Sequence, residues 1–195
     1  MRVFLAGATG VLGLRIVPLL VESGHVVAGL TRSPEKASLL TARGAVAVIG
    51  DVFDREAISQ AVADFRPDLV MSQLTDLPDE VDRIGDFRDA NIRIRREGVA
   101  NLLGASGGAG VEQVLVQSVA WELPGEAGRA VEDMERAVLE AGGTVLRYGQ
   151  FYGPGTYHPE SPPEHPRIHL DDAARRTVEV LEFGPGIVEL VEDPG

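Results

Sequence analysis

The amino-acid sequence predicts an α/β protein built on a doubly wound, mainly parallel sheet of about seven strands with helices on both faces. Two observations carry that prediction. Short apolar runs of β type alternate along the chain with segments of helical period, and glycines stand at the joints between them.

The strand runs lie at 2–6, 25–30, 45–49, 69–73, 113–117, 144–147 and 187–191, each rich in Val, Leu, Ile or Ala. The helical segments between them lie at 11–22, 34–43, 55–64, 86–104, 127–140 and 171–182. Gly24, Gly44 and Gly142 each fall just past a helix and before a strand, where a residue of positive φ commonly ends the helix. The exception to the alternation is 152–166. There Pro154, Pro159, Pro162, Pro163 and Pro166 crowd a stretch that also holds Gly153, Gly155, His158 and His165, which rules out a helix or a central strand. It is expected to be a loop over the carboxyl edge of the sheet, the edge at which open α/β folds bind ligands.

At 195 residues and 44% hydrophobic content the chain suffices for one well-buried core, so a single domain over 1–195 is expected, with a short substrate-side loop at 152–167. A formal net charge of −12 opposes binding to nucleic acid and to anionic membrane surfaces. The absence of cysteine excludes disulfides, thiolate nucleophiles and cysteine metal sites. No apolar stretch approaches the roughly 20 residues that span a bilayer, and the first strand leads straight into a glycine turn with no charged leader before it. The expectation is a soluble, cytoplasmic protein. The four histidines show no ligand spacing, so no metal site is expected. The carboxylates Glu132, Asp133 and Glu135 are expected to face solvent on their helix.

Gly7-Ala8-Thr9-Gly10-Val11-Leu12-Gly13 follows the first strand and opens the first helix. In a Rossmann-type unit such glycines allow the tight turn, let the backbone approach a pyrophosphate and let the helix pack on the strand, while the helix N-terminus offers N–H groups to the anion. The alternative is a turn that merely shapes the chain. The second strand ends at Thr31-Arg32, where NAD-specific domains usually carry an acidic residue. Arg32, with Ser33 and Lys36, suits a 2′-phosphate, which favours NADP(H) over NAD(H); the plainer reading of Arg32 is a solvated cation at a strand end.

Several motifs in order resemble the short-chain dehydrogenase/reductase superfamily, in the extended and atypical branches that hold the NAD-dependent epimerase/dehydratases and the NmrA-like proteins. They are the glycine turn, Gly50-Asp51-Val52, Asn91, the run from Gly98 to Leu103, Ser118, Leu146-Arg147, Tyr152-Gly153-Pro154-Gly155 and Ile168-His169-Leu170-Asp171-Asp172-Ala173. The resemblance implies that Gly7, Thr9, Gly10, Val11 and Leu12 line the pyrophosphate, Thr31 and Arg32 meet the adenosine ribose, and Asp51 and Val52 cradle the adenine. Gln73, Leu74 and Thr75 would border the cofactor with their backbone, and Asp171 would cap the last long helix beside His169.

Active members of that superfamily use a tyrosine as acid/base and a lysine one helical turn later, which binds the nicotinamide ribose. Counted back from Glu135, those positions hold Ala127 and Val131, and no lysine follows Lys36 anywhere. Ser118 and Tyr152 remain as candidate catalytic groups, with His158 and His165 on the same loop. The substrate insertion of extended members is reduced here to 156–167, which weakens any likeness to sugar-nucleotide epimerases. The expected function is an NADP(H)-dependent oxidoreductase or epimerase-like enzyme acting on a small carbonyl, enone or quinone. The alternative is a non-catalytic NADP(H)-binding redox sensor like the NmrA-like regulators. In relatives the helices at 86–104 and 127–140 form a homodimer contact. Ile94, Leu102, Val131, Met134 and Val138 would either supply its apolar face or pack against the sheet.

Overall fold

The computed structural model describes residues 1–78 and 80–193. β1 (Arg2–Ala6) leads through the glycine turn into α1 (Gly13–Glu22), and β2 (Val26–Thr31) into α2 (Pro34–Thr41). β3 (Val46–Ile49) is followed by α3 (Arg55–Phe65), then β4 (Leu69–Ser72). A long helical arm comes next: a 3₁₀ segment (Val81–Phe87), α4 (Arg88–Arg93), one π-helical segment (Ile94–Gly98) and α5 (Val99–Ala109). The chain closes with β5 (Gln113–Val119), α6 (Gly125–Glu140), β6 (Thr144–Tyr148), β7 (Gln150–Tyr152), β8 (Arg167–His169), α7 (Leu170–Glu179) and β9 (Gly186–Leu190).

Seven strands form one parallel sheet in the order β3-β2-β1-β4-β5-β6-β9. The strand order reverses between β1 and β4, and at such a switch point a crevice opens at the carboxyl ends of the strands. Alternation along β1 shows how both faces are filled. Val3 and Leu5 point to a core shared with Ile16, Val17 and Leu20 of α1 and with Ala173 of α7. Phe4 and Ala6 point to the opposite core, with Ile58 and Val62 of α3 and Leu102 of α5. A third cluster joins Val99, Val114, Val116, Met134 and Val138 under α5 and α6. Burial on both faces is why the strands read as nearly continuous apolar runs.

The predicted glycine stops hold: Gly24, Gly44 and Gly142 all have positive φ. The arm, however, runs past Gly104 to Ala109, because Leu102, Ala105 and Ser106 are buried and packing overrides the weak helix propensity of Gly104, Gly107 and Gly108. The strap at 152–166 is framed by a feature too short to read from sequence, the two-stranded parallel pair of β7 and β8. Ile94, Leu102, Met134 and Val138 lie in the cores, so they pack within the chain and not on an outer face.

Candidate functional site

Sterics at the β1–α1 turn require glycine at two of its three positions. Gly7 has φ +81°, and a Cβ there would lie 2.5 Å from the Gln73 carbonyl oxygen. A Cβ on Gly13 would lie 2.2 Å from the Gly7 oxygen. Gly10 differs: its N–H donates to the Gly7 oxygen at 3.1 Å, it is exposed, and a Cβ would meet only that oxygen at 3.4 Å. The open side of the turn is therefore at Gly10. The N–H groups of Val11 and Leu12 find no acceptor among the described residues, and α1 has neither a side-chain cap nor an acid in its first turn. Unpaired N–H groups at a helix start beside a glycine with free space fit a diphosphate.

Thr31 and Gln73 meet this turn directly, and Asp51 and Val52 lie just past the end of β3. Thr9 Oγ1 lies 3.1 Å from Thr31 Oγ1, which also accepts the Ser33 N–H at 3.2 Å, so the end of β2 is tied to the turn. Asp51 is exposed and accepts the Phe53 N–H at 3.0 Å, while buried Val52 gives its carbonyl to Asn101 Nδ2 at 2.9 Å. Gly98 lets the helical arm close on Val52, since a Cβ there would sit 3.1 Å from Val52 Cγ1. Leu74 packs on the core that contains Val52, and Thr75 is half-buried beside it in sequence.

Arg32 carries a partner that sequence reasoning missed. Its Nη2 lies 3.2 Å from Asp76 Oδ1, in an ion pair whose arginine side chain is 55% exposed. Ser33 is committed as well: it caps α2 by accepting the Lys36 N–H at 3.3 Å and donates its hydroxyl to Glu35 at 2.7 Å. That hydrogen bond holds the Glu35 carboxyl below the usual range. Of the three groups matched to a 2′-phosphate, Arg32 and Ser33 thus already have carboxylate partners.

Gln73 is buried in a directional chain. Thr177 donates to the Ala173 carbonyl at 2.6 Å and Tyr148 donates to Thr177 Oγ1 at 2.7 Å, so Tyr148 accepts from Gln73 Nε2 at 3.2 Å. Gln73 Oε1 is left enclosed without a partner. Burial pushes the Tyr148 phenol far above its ordinary range, which fixes it as a structural donor.

The other end of the crevice is built differently. Ser118, at the end of β5, is fully buried and donates to Glu135 Oε1 at 2.5 Å. Arg147 grips the same carboxylate through Nε at 3.0 Å and Nη2 at 2.5 Å. Burial pushes the Glu135 carboxyl up, but the bonds from Arg147 and Ser118 outweigh it and hold the group low. The expectation that Glu135 faces solvent is thus corrected. It occupies the buried face of α6 with Met134 and Val138, whereas Glu132 and Asp133 are exposed as expected. A helical period of 3.6 places 131, 134, 135 and 138 on one stripe, a signal that the charged character of the run concealed. Ala127 and Val131 are half-buried on this helix.

Tyr152 belongs to a separate network. Its hydroxyl donates to Glu192 Oε1 at 2.5 Å, and the same carboxylate accepts the His169 N–H at 3.2 Å and lies 3.3 Å from Arg167 Nε. The bond to Glu192 raises the Tyr152 phenol above its ordinary value. His165 Nε2 meets the Glu192 carbonyl at 2.9 Å, and the His158 N–H donates to Thr156 Oγ1 at 3.1 Å. His169, and not Asp171, caps α7: its Nδ1 accepts the Asp171 N–H at 3.3 Å, because the Asp171 carboxylate is drawn to Arg15 at 2.6 Å. Arg15 is a second tie that sequence did not reveal. Besides Asp171 it donates to the carbonyls of Val11 at 3.0 Å and Pro154 at 2.7 Å, joining the glycine turn to the proline-rich strap. Tyr157 anchors the strap's far side by donating to the Pro78 carbonyl.

This architecture defines an α/β protein of the nucleotide-binding class, with a glycine turn at the point where the strand order reverses. The profile of a family described as NAD(P)H-binding matches residues 7–148. The chain belongs to this family, within the short-chain dehydrogenase/reductase superfamily, and its cofactor is a nicotinamide dinucleotide. A 3-diazoavenalumate denitrifying reductase from a Streptomyces species is 37% identical over 180 residues, covering 80% of this chain and 58% of that protein. The chain thus spans little more than half the length of that reductase. A 3-beta-hydroxysteroid dehydrogenase of Mycolicibacterium neoaurum is 30% identical over 113 residues, covering 57% of this chain and 30% of that one. Among solved structures, the NAD complex of UDP-glucose 4-epimerase from Thermus thermophilus superposes with a TM-score of 0.81 at 21% identity, over 98% of this chain and 78% of that one. The Thermotoga maritima UDP-glucose 4-epimerase with UDP-glucose gives 0.79 at 17% identity, over 98% and 77%. At such identities these structures speak for the fold alone. Among the described residues, no helix is long and apolar enough to cross a membrane.

Proposed function

We propose that the protein is an NADP(H)-dependent reductase of a small, electron-poor acceptor such as a quinone or an enone. The observation that carries the reading is the cradle at Gly10, which retains free space and unpaired N–H groups, while Ala127 and Val131 have replaced the acid/base pair at the other end of the crevice. When bound, the cofactor supplies a hydride. The chain's own residues then hold the nucleotide, place an acceptor under the strap and exclude water. A simple ketone needs a proton as the hydride arrives. A conjugated acceptor delocalises the added charge and takes its proton afterwards from solvent, so it suits a site without a tyrosine–lysine pair. The relative named as a 3-diazoavenalumate denitrifying reductase, whose name gives it a conjugated diazo substrate and not a simple ketone, supports this direction.

Tyr152, whose hydroxyl hydrogen is likewise given to Glu192, is the strap group proposed to pass a solvent proton on in that later step as its bond to Glu192 exchanges. Ser118 is proposed to position Glu135, since its hydroxyl hydrogen is already given to that carboxylate. The preference for NADP(H) rests on Arg32 standing where NAD-specific domains usually carry an acid. The test is the rate of NADPH oxidation with quinones and enones set against simple ketones. Quinone or enone turnover above the ketone rate is expected, and a Tyr152→Phe variant should be slower with enones. Ketone turnover equal to that with enones would contradict the proposal. A second reading has its own observation in the Ser118 hydroxyl, which is fully committed to Glu135. On that reading the protein is a non-catalytic redox sensor. It would bind NADPH and NADP+ with unequal affinity and turn over none of the acceptors.

A further inference from the structure

The site lacks the lysine at Val131, yet it has not lost its buried cation. Arg95 lies in the single π-helical segment of the arm, and π-bulges recur at functional sites. It is buried, at 8% relative exposure, yet its side chain makes no hydrogen bond or ion pair among the described residues. Its electrostatic neighbour is Glu135, one helical turn beyond Val131 on the facing helix, and that carboxylate is already occupied by Arg147 and Ser118. One turn before Arg95, on the same face of the arm, Asn91 Oδ1 is enclosed without a partner. No Arg95 nitrogen is both fully enclosed and unpartnered, so its head keeps some access to solvent, and its neighbour Glu135, bonded to Ser118, sets it near the end of β5.

A largely buried guanidinium whose donors no protein group answers is costly, and a ligand that answers them offsets that cost. We infer that Arg95 is a relocated cation: reaching from the arm into the space left beside Val131, it binds the oxygens of the nicotinamide ribose, with Asn91 as the adjacent acceptor. The assignment rests on the nicotinamide cofactor reading and concerns the half of the nucleotide farthest from Arg32. The strap and the adenosine contacts play no part in it.

The test compares two nucleotides that share the adenosine half. NADP+ and 2′,5′-ADP are titrated calorimetrically into the wild type, Arg95→Met and Arg95→Met/Val131→Lys, with a thermal melt of each. If the wild type prefers NAD+, the pair becomes NAD+ and ADP. Arg95→Met should weaken NADP+ about tenfold while changing 2′,5′-ADP less than about twofold. It should leave the melting temperature unchanged or higher, because an unpaired buried charge is removed. Val131→Lys should restore part of the lost affinity by returning the cation to the opposite helix. An Arg95→Met protein that binds NADP+ as the wild type does, or loses both nucleotides equally with a lowered melting temperature, would overturn the inference. Failure of the wild type to bind either nucleotide would instead sink the cofactor reading itself.

Discussion

The two ends of the crevice are made of different materials. The end at the glycine turn is made largely of backbone: Gly7 fits under the Gln73 carbonyl, Gly13 packs on Gly7, and the N–H groups without an acceptor among the described residues belong to Val11 and Leu12. The opposite end is made of side chains, in the cluster of Ser118, Glu135 and Arg147 and in the pair of Tyr152 and Glu192. A backbone site tolerates little substitution, since any Cβ in the wrong place collides. A side-chain site changes chemistry one residue at a time without disturbing the sheet. On the proposed reading, this difference lets the chain keep its glycine turn while Ala127 and Val131 stand where the resemblance would put an acid/base pair.

The sharpest way to break the comparison lies within the glycine turn. Gly7→Ala forces a positive φ on a side chain and drives a Cβ to 2.5 Å from the Gln73 oxygen. It is expected to cost about 1–3 kcal/mol from the backbone alone, and more with the clash, read as a lowered melting temperature. Gly10→Ala meets nothing closer than 3.4 Å and should melt like the wild type, yet bind the dinucleotide at least about tenfold more weakly. Equal melting temperatures for the two variants would contradict the account of the turn.

A second prediction concerns the side-chain end. Glu135→Gln leaves Arg147 with a neutral partner and should destabilise by about 2–3 kcal/mol at neutral pH, less than a fully buried pair because the Arg147 side chain is 34% exposed. The carboxyl of Glu135 is held below its ordinary value of 4.5 in the folded protein. Its contribution is therefore complete above that value and is lost as pH falls through the lower, folded value. Melts of wild type and variant should converge as pH drops below about 4.5. A gap that stays constant down to acid would show that the charge is not what stabilises the cluster.

Legibility from sequence follows the same division. Gly7, Gly10 and Gly13 stand out because the backbone needs glycine where it turns, and the strands stand out because burial on both faces leaves apolar runs. Thr31, Asp51 and Val52 are placed by their motifs, and each sits where its motif suggests, at the end of β2 or just past β3. Pairings between distant side chains are not legible. Nothing local links Arg32 to Asp76, Arg15 to Pro154, or Tyr152 to Glu192, since each pair is brought together only by the sheet. Glu135 misleads because a carboxylate within an acidic run reads as solvated, and only its helical phase betrays it. His169 displaces Asp171 as the cap of α7 because Arg15 reaches across from α1.

The smallest expected effect sharpens the adenosine end. Asp76→Asn removes the carboxylate that competes for Arg32 and should raise NADPH affinity a few-fold, within the roughly 1 kcal/mol of an exposed ion pair, while changing NADH less. Loss of NADPH affinity in this variant would mean that Asp76 holds Arg32 in its binding position and does not compete for it.

The central claim, a retained cradle that prefers the phosphorylated cofactor, is tested most directly by titrating NADPH and NADH side by side in a calorimeter, into the wild type and into Arg32→Asp. The account predicts tighter binding of NADPH by the wild type and a loss of more than about tenfold, roughly 1.4 kcal/mol, in the variant. Equal binding of both nucleotides, unchanged by the substitution, would remove Arg32 from the site, and no binding of either would contradict the cradle itself.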